Sequence, residues 1–302
     1  MDNRVDIVEV GPRDGLQNEA VKLSTAAKVE LIGRLVSAGI RRVEVASFVS
    51  PTKVPQMADA EQVMAALAPQ PDVTYIGLVL NRKGFDRALA AGCREITMAV
   101  FASDTFNRRN QGASTAESID TWLEVARAAR TAGVRAQVTI SAAFGCPFEG
   151  EIAPARVVEI ARRLGEGEPY EIALADTIGV GGPAQVTDLV GRVNAAVPGV
   201  PLRGHFHNTR NTGLANAYAA VQAGVRALDS SVGGIGGCPF APAATGNIPT
   251  EDLVYMLHRS GFRTTIELQA LLEVGRWLQE QLGRTVPGML LKAGTFPRAA
   301  AS

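Results

Sequence analysis

Histidine and cysteine are scarce in this 302-residue chain, three of each, and aromatic residues make up only 5%. The cysteines, Cys93, Cys146 and Cys238, are odd in number, widely spaced and without a CxxC pair. That fits a reducing cytosol with free thiols better than a disulfide framework. Net charge is absent too, because 30 Lys plus Arg balance 30 Asp plus Glu. With no broad basic field, nucleic acid and anionic membranes are poor partners, and an anionic ligand must be met by a few local cations. No stretch has the apolar length of a membrane helix. The charged N-terminus runs straight into a strand and reads as lacking a signal peptide. The expectation is a cytoplasmic globular protein with no nucleic-acid or membrane partner.

What is plentiful is Ala, Val, Leu and Gly, with 46% of residues apolar. The β-branched run Asp6–Val10 predicts a first strand, and the same strand-then-helix alternation predicts others over Arg42–Ala46, Val73–Val79, Glu95–Val100, Arg135–Ile140, Tyr170–Ala175, Leu202–His207 and Arg226–Ser231. A helical pattern follows each one, often closed by glycine, as at Gly39, Gly92, Gly133 and Gly224. Ser103–Ser114 reads as a long polar loop. No GxGxxG follows the first strand and no GxxxxGK[ST] occurs anywhere, so an open nucleotide-binding sheet is the weaker reading. Eight alternating units predict an α/β chain, a single (β/α)8 TIM barrel over about residues 5–260. A C-terminal helical extension covers about 261–302, with an additional helix at Ile266–Leu282 and a patternless, candidate mobile tail after Arg284.

A barrel of this kind carries its chemistry at the carboxyl ends of the strands. Those ends hold Arg13 and Asp14, Glu44 and Ser47, Asp176 and Thr177, His205 and His207, then Cys238 and Asn247. His205 and His207 stand two apart on a strand, so both imidazoles face one side. They read either as half of a divalent-metal site or as two buried, hydrogen-bonded histidines. With Asp14 they make a mixed oxygen and nitrogen set that suits Mg²⁺ or Mn²⁺ better than structural zinc. Glu44, ending an apolar strand, needs a cationic partner, and Arg13 is the candidate. Asp176 reads equally as a site acid or a loop cap. The Gly233–Cys238 run is either a loop able to close over a site or filler, with Cys238 a candidate proton donor. Cys93 reads as a packing residue, and Cys146 as either.

Five segments together resemble the hydroxymethylglutaryl-CoA lyases, within the larger group of metal-dependent lyase barrels bearing an Arg-Asp signature. They are Gly11–Glu19, Val43–Pro51, Gly145–Gly150, Ala175–Gly179 and Gly236–Pro239, and Gly246-Asn247 and Thr250–Leu257 extend the match over nearly the whole chain. The resemblance implies Asp14, His205, His207 and Asn247 as ligands of Mg²⁺ or Mn²⁺. It implies Arg13 as the group that stabilises the enolate, and Cys238 and His205 in proton transfer. Glu44 and Asp176 would orient these groups or help remove the hydroxyl proton. The substrate would be a small acyl-CoA, (3S)-3-hydroxy-3-methylglutaryl-CoA, cleaved to acetyl-CoA and acetoacetate. Gln17, Ser47, Asn110 and Thr177 are candidate substrate contacts, Arg108 and Arg109 candidate phosphate contacts, and a homodimer is implied.

The family usually continues its double-histidine motif with Asp, Thr, an aromatic residue and Gly, whereas here Asn208-Thr209-Arg210-Asn211 follows His207. The Lys common after Glu19 is Ala20. Asn208 removes a charge beside the metal site and Arg210 is expected to bring a cation near the substrate end. The expectation is therefore an altered acyl preference, such as citramalyl-CoA or a longer glutaryl derivative. A condensing synthase and a non-catalytic CoA-binding barrel are the weaker alternatives.

Overall fold

The computed structural model describes residues 3–237 and 246–296. The strands among these residues are β1 (Asp6–Glu9), β2 (Arg42–Ser47), β3 (Thr74–Val79), β4 (Glu95–Phe101), β5 (Arg135–Ser141), β6 (Gly145–Cys146), β7 (Gly150–Glu151), β8 (Ile172–Asp176), β9 (Leu202–Phe206) and β10 (Ala227–Ser230). Eight of them close into a parallel barrel in the order β1-β10-β9-β8-β5-β4-β3-β2, while β6 and β7 pair as a separate antiparallel hairpin. The architecture is a TIM barrel.

The helices are α1 (Thr25–Ser37), α2 (Ala60–Ala66), α3 (Arg82–Ala90), α4 (Asp104–Gln111), α5 (Thr115–Thr131) and α6 (Pro154–Gly165). They continue with α7 (Pro183–Ala196), α8 (Gly213–Gln222), α9 (Thr250–Arg259), α10 (Leu268–Leu282) and α11 (Leu290–Ala293). Their starts follow from local chemistry. Ser24 caps α1 by accepting from the Ala27 N–H, and Ser114 and Glu117 form a capping box on α5. Pro154 and Pro183 open α6 and α7, where the missing N–H costs nothing. The apolar shell lies between the strands and the helices, with Leu31, Ile32, Leu35, Val43, Val45 and Trp122 almost fully buried. Gly39 closes α1 at φ +100°, and a side chain there would collide with the Thr265 carbonyl.

Two segments differ from the sequence expectation. The polar stretch after β4 holds helix α4, capped by Ser103 and stopped by Gly112 in the left-handed region. Its polar residues hide a period, although both end signals are present. Residues 286–293 of the tail after Arg284 pack onto the barrel instead of trailing away. Val286 and Leu290 are buried, and the Asp252 carboxylate accepts from the Met289 and Leu290 N–H groups. A cap supplied by another helix leaves no mark in the local sequence.

Strand parity decides what faces the barrel interior. Residues 42 and 44, 95 and 97, 137 and 139, 203 and 205, and 229 point inward. The lower interior is charged, built from Arg42, Glu95, Gln137, Glu171, Arg203 and Asp229.

Candidate active site

The chain after β1 turns at once. The N–H groups of Arg13, Asp14 and Gly15 all lie within 2.7–3.2 Å of the Val10 carbonyl, making a tight π-helical turn over Gly11–Gly15. This turn aims Arg13 and Asp14 at the barrel mouth. Arg13 Nε and Nη2 donate to the two Glu44 oxygens at 2.7 and 3.0 Å, and Nη1 donates to Asp14 Oδ1 at 2.8 Å. The partner that Glu44 needed is therefore Arg13, held in a two-pronged clamp. Burial acts most strongly to lower the Arg13 pKa, but Glu44 and Asp14 outweigh it and the guanidinium stays charged. For Asp14, burial acts to raise the carboxyl, while Arg13 and then the two histidines bring it down to about 2. Burial leaves the Glu44 carboxyl raised despite Arg13.

Asp14, His205 and His207 each bring one ligand atom within 4.8 Å of the others. His205 Nδ1 lies 3.0 Å from Asp229 Oδ2, which leaves Nε2 for the site. Burial, then His205, lowers the His207 pKa to about 4, so its imidazole is neutral and offers a lone pair at neutral pH. The fourth expected ligand arrives from far along the chain. Ile248 N–H donates to Phe206 O at 3.2 Å and Asn208 N–H to Gly246 O at 2.8 Å, laying residues 246–248 beside the end of β9. Asn247 Nδ2 then reaches Asp14 Oδ2 at 2.8 Å. Two imidazoles, a carboxylate and an amide suit an oxygen- and nitrogen-binding divalent ion.

Asp14, His205 and His207, with Arg13 and Glu44, line a cavity of about 390 Å³. Gln17, Asn110 and Thr177 line it, as do Arg109 and Lys53, which are exposed at its rim. Arg109 also stacks over the Phe148 ring at 4.1 Å, whereas Arg108 pairs with Asp104 on the surface. Ser47 and Asp176 are buried and are not among the lining residues. Asp176 is one residue off the inward parity of Ala175 and Thr177, and its carboxylate accepts from the Val180 and Gly181 N–H groups at 2.9 Å. It acts as the cap of the loop after β8. Cys238 lies outside the described residues.

Arg210 corrects an expectation. Its guanidinium donates to the Ile178 and Gly179 carbonyls at 2.9 and 3.0 Å, bracing the neighbouring loop instead of reaching the cavity. Asn208 bonds to Asn211 and accepts from Gly213 N–H. Neither lines the cavity.

Several residues escaped sequence reasoning. Glu9, fully buried, accepts from Gly11 and Val232 N–H and from the Thr250 hydroxyl, tying the loops after β1 and β10 together. Glu251 accepts from Gly233 N–H beneath the same loop. Burial pushes Glu9 up to about 7 and Glu251 up to about 8. Asp229 and Arg203 carry the signal that marked Glu44, a charge within an apolar strand.

The HMGL-like family model matches residues 4–278. The chain belongs to the HMGL-like family. It is 46% identical to the hydroxymethylglutaryl-CoA lyase of Pseudomonas mevalonii over 292 residues, covering 96% of this chain and 97% of that one. It is 45% identical to the (R)-citramalyl-CoA lyase of Chloroflexus aurantiacus over 300 residues, covering 96% and 95%. Among solved structures, an HMG-CoA lyase from Acinetobacter baumannii in complex with coenzyme A and 3-methylmalate superposes with a TM-score of 0.94 at 39% identity, covering 99% of this chain and 98% of that one. The family is metal-dependent, and the Asp14, His205 and His207 cluster is its possible metal site here.

Proposed function

We propose that this chain is a carbon–carbon lyase that uses Mg²⁺ or Mn²⁺ to cleave (3S)-3-hydroxy-3-methylglutaryl-CoA to acetyl-CoA and acetoacetate. One observation carries the reading: a clamped, charged Arg13 abuts the Asp14, His205 and His207 cluster that lines a cavity wide enough for an acyl chain. Asp14, His205, His207 and, with its amide oxygen turned inward, Asn247 would hold the ion, which supplies a Lewis acid for the 3-hydroxyl and a carboxylate oxygen.

The reaction removes the 3-hydroxyl proton, breaks the bond between C2 and C3, and leaves that electron pair on the thioester as an enolate. Protonation of the enolate carbon then gives acetyl-CoA. Arg13 is the fixed cation for the developing enolate oxygen, and Glu44 holds it so that no reorganisation accompanies the charge. His205 has Nε2 as its one ring atom for either of its roles, ligand or proton carrier, and serves one at a time. Cys238 is the second candidate for the proton delivered to carbon. Thr177 and Gln17 would orient the acyl group, while Asn110, Arg109 and Lys53 at the rim suit the phosphate-bearing end of coenzyme A.

Citramalyl-CoA is the second reading, supported by near-equal identity to a citramalyl-CoA lyase. Because Asn208 and Arg210 turn away from the cavity, the departure in their motif supplies no reason for a changed acyl preference. A panel of acyl-CoA thioesters decides between the two. The proposal expects the highest kcat/KM on hydroxymethylglutaryl-CoA, and a clear preference for citramalyl-CoA would replace it.

A further inference from the structure

A TIM-barrel interior is ordinarily packed with layers of branched apolar side chains. Here a line of charge climbs through it to the metal-binding cluster. At the foot, Glu95 pairs with Arg135 at 2.9 Å and with Arg42 at 2.8 Å. Arg42 and Arg203 both reach Glu171 Oε2, each at 3.2 Å. Arg203 Nε then lies 3.1 Å from Asp229 Oδ1, at an angle that makes the contact coulombic and not a hydrogen bond. Asp229 Oδ2 finishes the line against His205 Nδ1 at 3.0 Å. Apart from Arg42, Arg135 and His205, every member is at most 5% exposed. Charge of one sign alternates with the other at every step.

We propose that Arg203 and Asp229 act as a positioning pair for His205, setting which ring nitrogen faces the metal site and in which direction. The inference rests on the metal-dependent reading above. Strand register supplies the first half of the argument, since Asp229 lies directly opposite His205 in the β10–β9 pairing and Arg203 directly opposite Ala227. The pair is therefore delivered by the sheet itself. Chemistry supplies the second half. A carboxylate accepting from Nδ1–H fixes the imidazole as the tautomer with a bare Nε2 and raises its basicity as a ligand. A buried carboxylate needs a counter-charge to stay ionised beside that ring, and Arg203 is the cation in direct contact with it, with Arg42 and Arg13 acting from farther off. Asp229 Oδ1 has no hydrogen-bond donor among the described residues, so the guanidinium's charge is what holds that oxygen. Arg203 also lines the cavity floor, and direct contact with substrate is the competing role.

The two roles separate by experiment. Mn²⁺ affinity of the whole protein is measured by the loss of the free-ion electron paramagnetic resonance signal, in the parent and in Arg203→Met, Asp229→Asn and Arg135→Gln. Folding is checked by circular dichroism. Disturbing the shell behind a metal ligand typically costs about 10–100-fold in affinity, so both Arg203→Met and Asp229→Asn are expected to weaken Mn²⁺ binding by that amount. Their kcat should fall while KM for the acyl-CoA moves little. Arg135→Gln, at the foot of the line, should leave Mn²⁺ affinity unchanged even if the protein melts earlier. Folded Arg203→Met with parental Mn²⁺ affinity and a raised KM would overturn the proposal in favour of substrate contact. If Arg203→Met does not fold, Asp229→Asn decides alone, and parental Mn²⁺ affinity in that variant overturns the pair. A parent protein that binds no Mn²⁺ would instead sink the metal-dependent function on which the inference stands.

Discussion

Replacing Glu44 with Gln keeps the side chain's shape and removes its charge, which isolates what the Arg13 clamp contributes. Arg13 now gives Glu44 two charge-assisted bonds, at 2.7 and 3.0 Å. Gln offers one acceptor and turns an NH₂ against the other guanidinium N–H. The loss of one bond to a charged group is worth roughly 1.5–3 kcal/mol. Arg13 keeps its bond to Asp14 at 2.8 Å, so the guanidinium remains in the site but can swing about that single anchor. Removing one oxyanion donor outright costs about 100- to 1,000-fold in kcat, and a loosened donor should sit near the lower end, about 100-fold. Stability should change far less. The Glu44 carboxylate is already costly to bury, as its raised pKa shows, so neutralising it returns part of what the broken bond loses. The expected outcome is a melting temperature within a few degrees of the parent with kcat down about 100-fold. Acetyl-CoA release at saturating thioester, beside a thermal melt, reads both. A kcat within about threefold of the parent would refute the electrostatic role given to Arg13.

Three further outcomes follow from other parts of the site. Gly236 has φ +96°, and a Cβ there would lie 2.8 Å from Gly15 Cα and 2.9 Å from the Asp14 carbonyl; Gly236→Ala should cost about 1–3 kcal/mol and weaken Mn²⁺ binding, read by denaturant melts and metal titration. Glu9 and Glu251 hold their protons to about pH 7 and 8 in the folded chain, from an ordinary value of 4.5. The unfolded chain releases them first, so stability should fall as pH rises from about 4.5 to about 8 and then level off. Glu251→Gln should flatten that slope in urea melts across the window, and an unchanged slope would show that the acid is ionised when folded. Asn208→Asp restores the acid usual in the family at a position turned to Asn211 and Gly213. It should move the kcat/KM ratio between hydroxymethylglutaryl-CoA and citramalyl-CoA by less than about threefold, since the added charge does not line the cavity and is partly screened by solvent. A larger change would return Asn208 to the substrate end.

Most of the eight barrel strands were legible as short apolar or β-branched runs, and the repeating strand-then-helix order placed Leu202–Phe206 and Ala227–Ser230, which have no β-branched residue. Strand ends then pointed to the candidate site. Arg13, Asp14, Glu44, His205, His207 and Asn247 converge as the barrel topology demands. Parity and loop geometry set what the strand ends alone leave open. Asp176 sits one residue from the inward-facing Ala175 and Thr177, and a single step along a strand reverses the face. Arg210 lies three residues beyond the candidate ligand His207, yet its guanidinium is spent on the Ile178 and Gly179 carbonyls in the neighbouring loop. Helix α4 and the packed tail depend on caps and apolar anchors too few to make a period. The charged line from Glu95 to Asp229 depends on contacts between β4, β2, the residue before β8, β9 and β10, and sequence spacing does not reveal which inward charges meet.

The most direct test of the account mixes the purified protein with hydroxymethylglutaryl-CoA and Mg²⁺ or Mn²⁺ and follows both products. Acetyl-CoA and acetoacetate should appear in equal amounts, stop on addition of a chelator, and resume when the ion is restored. Undiminished cleavage with the chelator present, or no acetyl-CoA from this thioester with either ion, would contradict it.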